Sequence, residues 1–143
     1  MINIVFPKYD FKFKQVKNKD FIYDAIRNKW IMLTPEEWVR QHIIKYLQTE
    51  YLYPSSLFAI EKEIQVGELK KRFDIVIYKD AMPWMIIECK QTDVVISSST
   101  LQQTLAYNSK IQAPYLCLSN GTTTLLWKFE NNTITTLDTF PKY

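Results

Sequence analysis

KRFDIVIYKDAMPWMIIECKQ, residues 71–91, is the stretch that decides the fold. Its two apolar runs, FDIVIY and PWMIIEC, are separated by a short polar turn, and such runs are typical of strands buried on both faces of a sheet. Three charged residues, Asp74, Glu88 and Lys90, lie within or directly after these runs. Because charged side chains are rarely buried unless they are paired or bind a metal, we expect this hairpin to carry the functional site.

The geometry of the hairpin follows from the numbering. A turn over residues 80–82, centred on Ala81, places Asp74 opposite Glu88, with Cβ atoms about 5 Å apart. Lys90 lies two residues beyond Glu88 and therefore shares its face. Two opposed carboxylates repel each other unless one takes up a proton or a cation lies between them.

A hard divalent cation would balance two carboxylates, and Mg²⁺ typically binds one or two of them together with water and substrate phosphate. A lysine beside such a site could orient metal-bound water or stabilise charge that develops on a phosphate. The set therefore predicts metal-assisted hydrolysis of a phosphodiester. The alternative is a solvated strand face with a salt bridge, since the motif is short and common. The other residues of both runs are apolar, which does not favour a solvated face.

Length and composition indicate one globular domain over residues 1–143, with an N-terminal extension (1–33), a core (34–120) and a C-terminal hairpin (121–143). A net charge of +3 allows nucleic-acid binding without requiring it. Two glycines are too few for a Gly-rich phosphate loop, which argues against a nucleotide-hydrolysing motor in this chain. Without a long apolar run or a signal-peptide core, we expect a cytoplasmic protein that does not enter the membrane. Cys89 and Cys117 are expected to be buried free thiols.

The N-terminal extension is rich in aromatic residues and lysine. DFKFKQV, KNKD and FIYDAI predict a hairpin, and KWIML predicts a further short strand that covers one edge of the core. Its lysines could contact phosphate, or they could simply solvate an edge strand and protect it from aggregation: Lys8, Lys12, Lys14, Lys17 and Lys19.

The first helix is predicted over LTPEEWVRQHIIKYLQTEY. Thr34 is a suitable N-cap, proline follows it, and Glu37 completes a capping box. Glu36 lies three residues before Val39 on the apolar stripe, so we expect Glu36 to reach inward and Glu37 to serve as the cap. Arg40 follows Glu36 by four residues and could pair with it.

His42 is the only histidine, and its place in the helix predicts an exposed side chain. With one histidine and no suitable serine or cysteine motif, a hydrolase triad is hard to build. After the helix, LFAIEKEIQV predicts a strand on which Glu61 and Glu63 are exposed, although one of the two could lie near the site.

The remaining chain predicts a second helix and three strands. The serines at 97–99 can cap the helix STLQQTLAYNSKI, in which Gln103 and Tyr107 share one face or belong to an ordinary helix surface. PYLCLSNG predicts a buried strand, and TTTLLWKF and TITTL predict a hairpin that turns at residues 131–132. This order predicts an α/β fold with an αβββαβ core, in which a mixed central sheet has a helix on each face.

The order αβββαβ, with Asp74 on one strand and Glu-x-Lys at residues 88–90 on the next, resembles the PD-(D/E)XK nuclease superfamily, the restriction-endonuclease-like fold. More closely, LTPEEWVRQ, KRFDIVIY, IIECK, QTLAYN and PYLCLSNG resemble the N-terminal nuclease domain of type I restriction enzyme R subunits, in its small stand-alone form. The resemblance covers residues 20–143. Phe73 replaces the proline of the superfamily's name, a common change.

The resemblance implies DNA cleavage that depends on Mg²⁺, with Mn²⁺ as a substitute. Asp74, Glu88 and the backbone carbonyl of Cys89 would be metal ligands, and Lys90 would be the catalytic lysine. Glu36 matches the acidic residue of the first helix that often completes such sites. Gln103 and Tyr107 match a QxxxY motif that some branches place beside the scissile phosphate.

The resemblance also raises alternatives, because the R subunit joins this domain to a helicase motor and works with further restriction-system subunits. The chain contains no motor, so a helicase or other subunit acting in trans, and a homodimer, both remain options. A non-catalytic module that binds nucleic acid or a partner is the alternative function. Cleavage of RNA in place of DNA is also left open.

Overall fold

The computed structural model describes residues 1–143 and contains nine strands and two α-helices. Their order is β1 (Phe13–Val16), β2 (Lys19–Asp24), β3 (Lys29–Met32), α1 (Pro35–Glu50), β4 (Phe58–Val66), β5 (Leu69–Lys79), β6 (Met82–Cys89), α2 (Ser98–Ile111), β7 (Tyr115–Ser119), β8 (Thr124–Glu130) and β9 (Thr133–Leu137). A single 3₁₀ turn, Ser55–Leu57, leads into β4. The element order matches the one predicted from the sequence.

The strands form two sheets. Strands β4 to β9 lie in sequence order in a six-stranded sheet that is antiparallel except between β6 and β7. That pair is parallel because α2 connects the two strands as a crossover. The first three strands form a separate antiparallel sheet. The predicted fold class, a mixed α/β sheet with N-terminal and C-terminal hairpins, is confirmed.

Helix α1 packs on one face of the large sheet. Thr34 caps it as predicted, since its Oγ1 accepts the backbone N–H of Glu37 at 3.1 Å. The apolar stripe of the helix is buried against Ile75, Ile77 and Ile87 of the sheet, and we call this cluster the first core. Its helix members are Val39, Ile43, Ile44 and Leu47.

Helix α2 packs on the opposite face. Ser97 is its cap and accepts the backbone N–H of Thr100 at 3.2 Å. Its apolar residues cover a second core, which contains Phe73, Val76, Ile86 and Leu116. The sheet is therefore covered on both faces, which explains why its central strands are apolar almost throughout.

Near the middle of β4 and of β5, the side chains at one alternation of the strand change from one face of the sheet to the other. Phe58 and Ile60 pack in the first core, whereas Ile64 and Val66, at the same alternation, pack in the second. The exchange occurs at Glu61, whose φ of 52° is left-handed and whose position in the ladder is skipped. A non-glycine residue is uncommon in this region, so the backbone departs here from a regular strand. Asp74 on β5 lies opposite this distortion, because Ile60 pairs with Ile75 and Lys62 with Phe73.

His42 is not exposed, and the prediction for it was wrong. Only 8% of its surface is accessible, and its ring lies 3.8 Å from that of Trp38. Phe6 and Phe11 of the N-terminal segment also pack on it, with centroids 5.4 and 4.9 Å away. The helix surface is covered because residues 1–12 fold over it. Burial lowers the pKa of His42.

The two cysteines, Cys89 and Cys117, are free and buried, as predicted. Burial raises the pKa of both thiols, so they are inert core residues. Neither helix combines the length and the apolar character that a membrane span requires.

Candidate active site

Asp74 and Glu88 lie opposite each other on β5 and β6. The last paired positions before them are Ile75 and Ile87, and the same register continues to the two acids. The turn consists of Asp80 and Ala81, one residue shorter than predicted, and both have positive φ. A bulge corrects the register, since Tyr78 pairs with Pro83 whereas Ile77 pairs with Met85. The extra residue, Trp84, therefore brings the two acids into register.

Asp74 is held by two donors from different elements. Its Oδ1 accepts Nη2 of Arg40 at 3.0 Å, and its Oδ2 accepts the backbone N–H of Cys89 at 2.8 Å. Arg40 comes from α1, so the carboxylate is fixed between the helix and the sheet. Two charge-assisted bonds of this kind define the position of the group closely.

Glu88 is in a different environment. Its surface is 8% accessible, and its Oε1 is buried without a hydrogen-bond partner. The nearest cation, Nζ of Lys71, is 3.9 Å away, too far for a hydrogen bond. Burial, together with the charge of Asp74 and contact with it, raises the pKa of Glu88 from 4.5 to about 8. The carboxyl group of Glu88 is thus buried away from water, and no nearby group fully compensates its negative charge.

A small cavity of about 70 Å³ opens beside Glu88, between the sheet and α2. Four residues singled out from the sequence line this cavity together: Glu88, Lys90, Gln103 and Tyr107. Lys71, Phe73, Thr100 and Thr104 complete the lining. Gln103 and Tyr107 reach it because they lie one turn apart on α2.

The sequence predicted that Glu36 reaches inward and that Glu37 caps the helix, but in the structure Glu37 is the buried residue and Glu36 is largely exposed. The side chain of Glu37 is 5% exposed and binds Arg27, Arg40 and Gln41, and no hydrogen bond joins it to the backbone of Thr34. The side chain of Glu36 is 45% exposed and lies 3.8 Å from Arg40, the pair that was predicted. Burial and the charge of Asp74 nevertheless raise the pKa of Glu36, against the opposing charges of Arg40 and Lys90. Glu36 is therefore close enough to Asp74 and Lys90 for their charges to change its pKa.

Behind Asp74 lies a buried polar network that joins the two sheets through α1. Arg27 binds Asp24 at 2.6 Å and Glu37 at 2.9 Å, and Gln41 donates to Asp24 at 2.9 Å. Glu37 then binds Arg40, the partner of Asp74, at 2.9 Å. Glu61 is exposed, as expected, and lies 3.5 Å from Arg40 at the edge of the network. The N-terminal sheet is thereby coupled to the carboxylate on β5.

Two residues of the site were missed by sequence reasoning. Arg27 lies in a polar turn that gives no signal of burial, and its partners Glu37 and Glu61 come from later elements of the chain. Lys71 precedes Asp74 by three residues, so strict alternation would place it on the other face from Asp74. The face exchange at Glu61 and Asp74 brings it to the cavity instead. Neither position has a motif that could have revealed it.

The donors present suit a hard cation. The unpartnered Oε1 of Glu88 and the adjacent carboxylate of Asp74 are oxygen ligands of the kind that Mg²⁺ prefers. The chain contains no cluster of three or more histidine, cysteine or acidic side chains that could hold a metal. An ion at this place would complete its coordination with backbone carbonyl, water or substrate oxygen, as Mg²⁺ commonly does.

Comparison with known proteins adds the family. No curated protein matches the chain in sequence. A crystal structure of a protein described as a candidate nuclease of the DUF820 group, from Anabaena variabilis, superposes with a TM-score of 0.51 at 10% identity. The match covers 93% of this chain and 80% of that one, which shows a shared fold. The family model of the type I restriction enzyme R protein N terminus matches residues 35–141, three quarters of the chain and nearly every element of the site. This protein therefore belongs to the type I restriction enzyme R protein N-terminal family and has its restriction-endonuclease-like PD-(D/E)XK fold.

Proposed function

We propose that the protein is a divalent-metal-dependent endonuclease that hydrolyses DNA phosphodiester bonds in restriction or DNA processing. The observation that carries this proposal is the cavity beside α2. The buried Glu88, which has an unpartnered oxygen, lines this cavity together with three polar residues: Lys90, Gln103 and Tyr107. Acid, lysine and phosphate-binding groups around one space are the set that metal-assisted hydrolysis requires.

Asp74, Glu88 and the backbone carbonyl of Cys89 would hold the cation, which we take to be Mg²⁺ with Mn²⁺ as a substitute. The cation would supply Lewis-acid polarisation of the phosphate and a more acidic water at neutral pH. Arg40 and the N–H of Cys89 hold the carboxylate of Asp74 in a fixed orientation for this task. Glu36, which is close enough to Asp74 for the charge of that acid to raise its pKa, would add a third carboxylate near the pair.

The remaining residues would act on the phosphate. Lys90 lines the cavity and its positive charge opposes the raised pKa values of Glu36 and Glu88, so it lies within electrostatic reach of both acids. From there it would stabilise negative charge that develops on the phosphoryl oxygens. Gln103 and Tyr107 would donate hydrogen bonds that orient the strand to be cleaved.

The family suggests the partners. A restriction-enzyme domain would bind DNA, and a helicase or other restriction-system subunits would act with this chain in trans. A homodimer would let two sites cleave both strands, one in each chain. RNA remains a second substrate class, which the same chemistry would cleave.

Cleavage of supercoiled plasmid tests the proposal, with Mg²⁺ and Mn²⁺ each titrated calorimetrically into the same preparations. We expect metal-dependent cleavage by the wild type, a loss of at least about 100-fold in Glu88→Gln and Lys90→Met, and loss of metal binding in Glu88→Gln. Glu130→Gln is the matched control, because Glu130 is an exposed glutamate on β8 and its loss should change nothing. Cleavage by Glu88→Gln at the wild-type rate would refute the assignment.

A non-catalytic module that binds nucleic acid or a partner is the second candidate. It is favoured by the Arg40–Asp74 pair, which compensates the charge of one acid without a metal. This function predicts DNA binding that weakens steeply with salt and no cleavage under any metal. The plasmid assay and a salt series of binding measurements separate the two functions.

A further inference from the structure

One face of the N-terminal sheet consists of exposed and half-buried residues. The register of its three strands places eight residues on this side: Lys12, Lys14, Val16, Lys19, Phe21, Tyr23, Trp30 and Met32. Ile22 and Asp24, on the other side of β2, are completely buried against the rest of the molecule. We call the eight residues the outer face of the N-terminal sheet.

The positive charge of the protein is concentrated in this part of the chain. Residues 1–34 contain six lysines and one arginine against three aspartates and no glutamate, whereas the whole chain has a net charge of +3. The rest of the chain is therefore slightly acidic. Three of the lysines belong to the outer face, and none of its eight residues is acidic. A negatively charged partner is the one that this face attracts.

The lysines of the outer face lie over aromatic rings. Nζ of Lys14 is 4.5 Å from the ring centroid of Trp30, and Nζ of Lys12 is 5.8 Å from that of Tyr23. The two rings belong to directly paired residues, with centroids 5.3 Å apart. Tyr23 is further fixed by a hydrogen bond from its hydroxyl group to Asn28. Rigid aromatic rings with mobile cations beside them can accept a base on the ring while the lysine moves to the phosphate.

We propose that the outer face of the N-terminal sheet binds single-stranded nucleic acid. Bases would stack on Trp30 and Tyr23, and Lys12, Lys14 and Lys19 would contact the phosphates between them. A duplex hides the faces of its bases, so aromatic rings of this kind are useful only for an unpaired strand. The proposal goes beyond cleavage, because this surface lies outside the matched family region, which begins at residue 35.

The outer face is connected to the candidate active site. Met32, at the end of β3, also lines a groove of about 410 Å³. Its other walls include Arg40, Gln91 and three glutamates: Glu36, Glu37 and Glu61. Neither Asp74 nor Glu88 lines this groove, but Arg40 in its wall binds Asp74 at 3.0 Å, so the groove ends beside a partner of the acid pair. A strand that is stacked on Trp30 would therefore extend in the direction of the acids, and the surface would select substrates that have an unpaired segment.

Fluorescence anisotropy of a labelled 12-nucleotide oligo(dT) tests the proposal. The measurement is made in EDTA, so that its result does not depend on catalysis, and the same strand in a duplex and an oligo(rU) serve as comparisons. We expect wild-type protein to bind both single strands more tightly than the duplex. Trp30→Thr, which keeps a strand-forming residue, should raise Kd about 5- to 150-fold, the range found for one lost base stack.

The lysines are tested by salt dependence. Lys14→Gln should reduce the slope of log K against log salt by about 0.7, the value for one phosphate contact to a single strand. Lys79→Gln is the matched control, since Nζ of Lys79 lies 5.4 Å from the ring of Trp84 at the far end of β5 from Asp74. Circular dichroism melting checks that each variant is folded. Tighter binding to duplex, unchanged binding by folded Trp30→Thr, or an equal effect of Lys79→Gln would overturn the proposal.

Discussion

Asp74 lies opposite Glu88 because Trp84 is an extra residue in β6. The tight turn at residues 80–81 by itself would pair Asp74 with Ile87, and the bulge after Pro83 shifts the register by one. Pro83 has no N–H to donate, so the ladder is already interrupted where the bulge begins. Trp84 is 9% exposed and packs against Tyr53, Tyr115 and Tyr143. The alignment of the two acids is thus fixed by aromatic packing at the other end of the hairpin.

The stability of the metal-free protein should fall as pH rises, because of Glu88. Its pKa is about 8 in the folded protein and near 4.5 when unfolded, so the folded state holds a proton that the unfolded state has lost. The destabilisation grows between these two values, at about 1.4 kcal/mol per pH unit for a fully effective shift. Thermal melting in EDTA from pH 5 to 9 should show this loss in the wild type and a smaller loss in Glu88→Gln. Parallel curves for the two proteins would contradict the prediction.

Arg40→Gln should destabilise the protein by about 3–5 kcal/mol, because it leaves two carboxylates without their buried cation. The side chain of Arg40 is 6% exposed and binds Glu37 and Asp74 at once. Urea unfolding at pH 7 measures the loss. Arg40→Gln combined with Glu37→Gln should recover part of it, since one unpaired charge is removed. Lys128→Gln, at an exposed pair with Glu130, is the control and should leave the urea midpoint unchanged. A small effect of Arg40→Gln would mean that water compensates the acids.

Ala81→Gly should stabilise the protein by about 0.5–1 kcal/mol. Asp80 and Ala81 form the two-residue turn of the hairpin with φ of 52° and 62°, and alanine is strained in this region. Glycine adopts it without steric cost, so the turn becomes the Asp-Gly type that hairpins prefer. The midpoint of urea unfolding checks the change. Ala81→Val should shift the midpoint in the opposite direction, and a loss of stability in Ala81→Gly would show that the turn is not strained.

His42 should titrate below 6.5. It is the only histidine, so its ring protons give one resolved set of NMR signals that can be followed against pH. Burial lowers its pKa more than the 2.7 Å contact with the carbonyl of Trp38 raises it. The neutral ring stabilises the fold above pH 6.5, and this contribution is lost as pH falls through the lowered pKa. The same signals in urea are the control and should give the ordinary value; equal midpoints would show that the ring is solvated.

Much of the fold could be predicted because the local signals agree with one another. Thr34 and Ser97 cap the two helices as expected, and the turn at residues 131–132 joins the last two strands. The pairing of Asp74 with Glu88 was also predicted, although the prediction assumed a longer turn without a bulge. No local pattern distinguishes the two, since a three-residue turn and a two-residue turn with a bulge give the same register beyond it.

What could not be predicted depends on contacts between distant segments. His42 is buried by residues 1–12, which have no periodicity that would indicate where they pack. The carboxylate of Glu37 does not bind the backbone of Thr34 because Arg27, ten residues earlier in sequence, provides a stronger partner. Lys71 reaches the cavity only because β4 and β5 exchange faces. Each of these features is decided by a tertiary partner rather than by local propensity.

The left-handed backbone at Glu61 determines more than the path of two strands. Asp74 stands at the seam where the residues of β5 leave one packed layer and enter the other. The acid pair therefore lies between the two cores. Looser packing in either core will change the distance between the carboxylate oxygens of Asp74 and Glu88. Catalysis at this position would therefore depend on the packing of both cores, and local opening of either one would lower the activity.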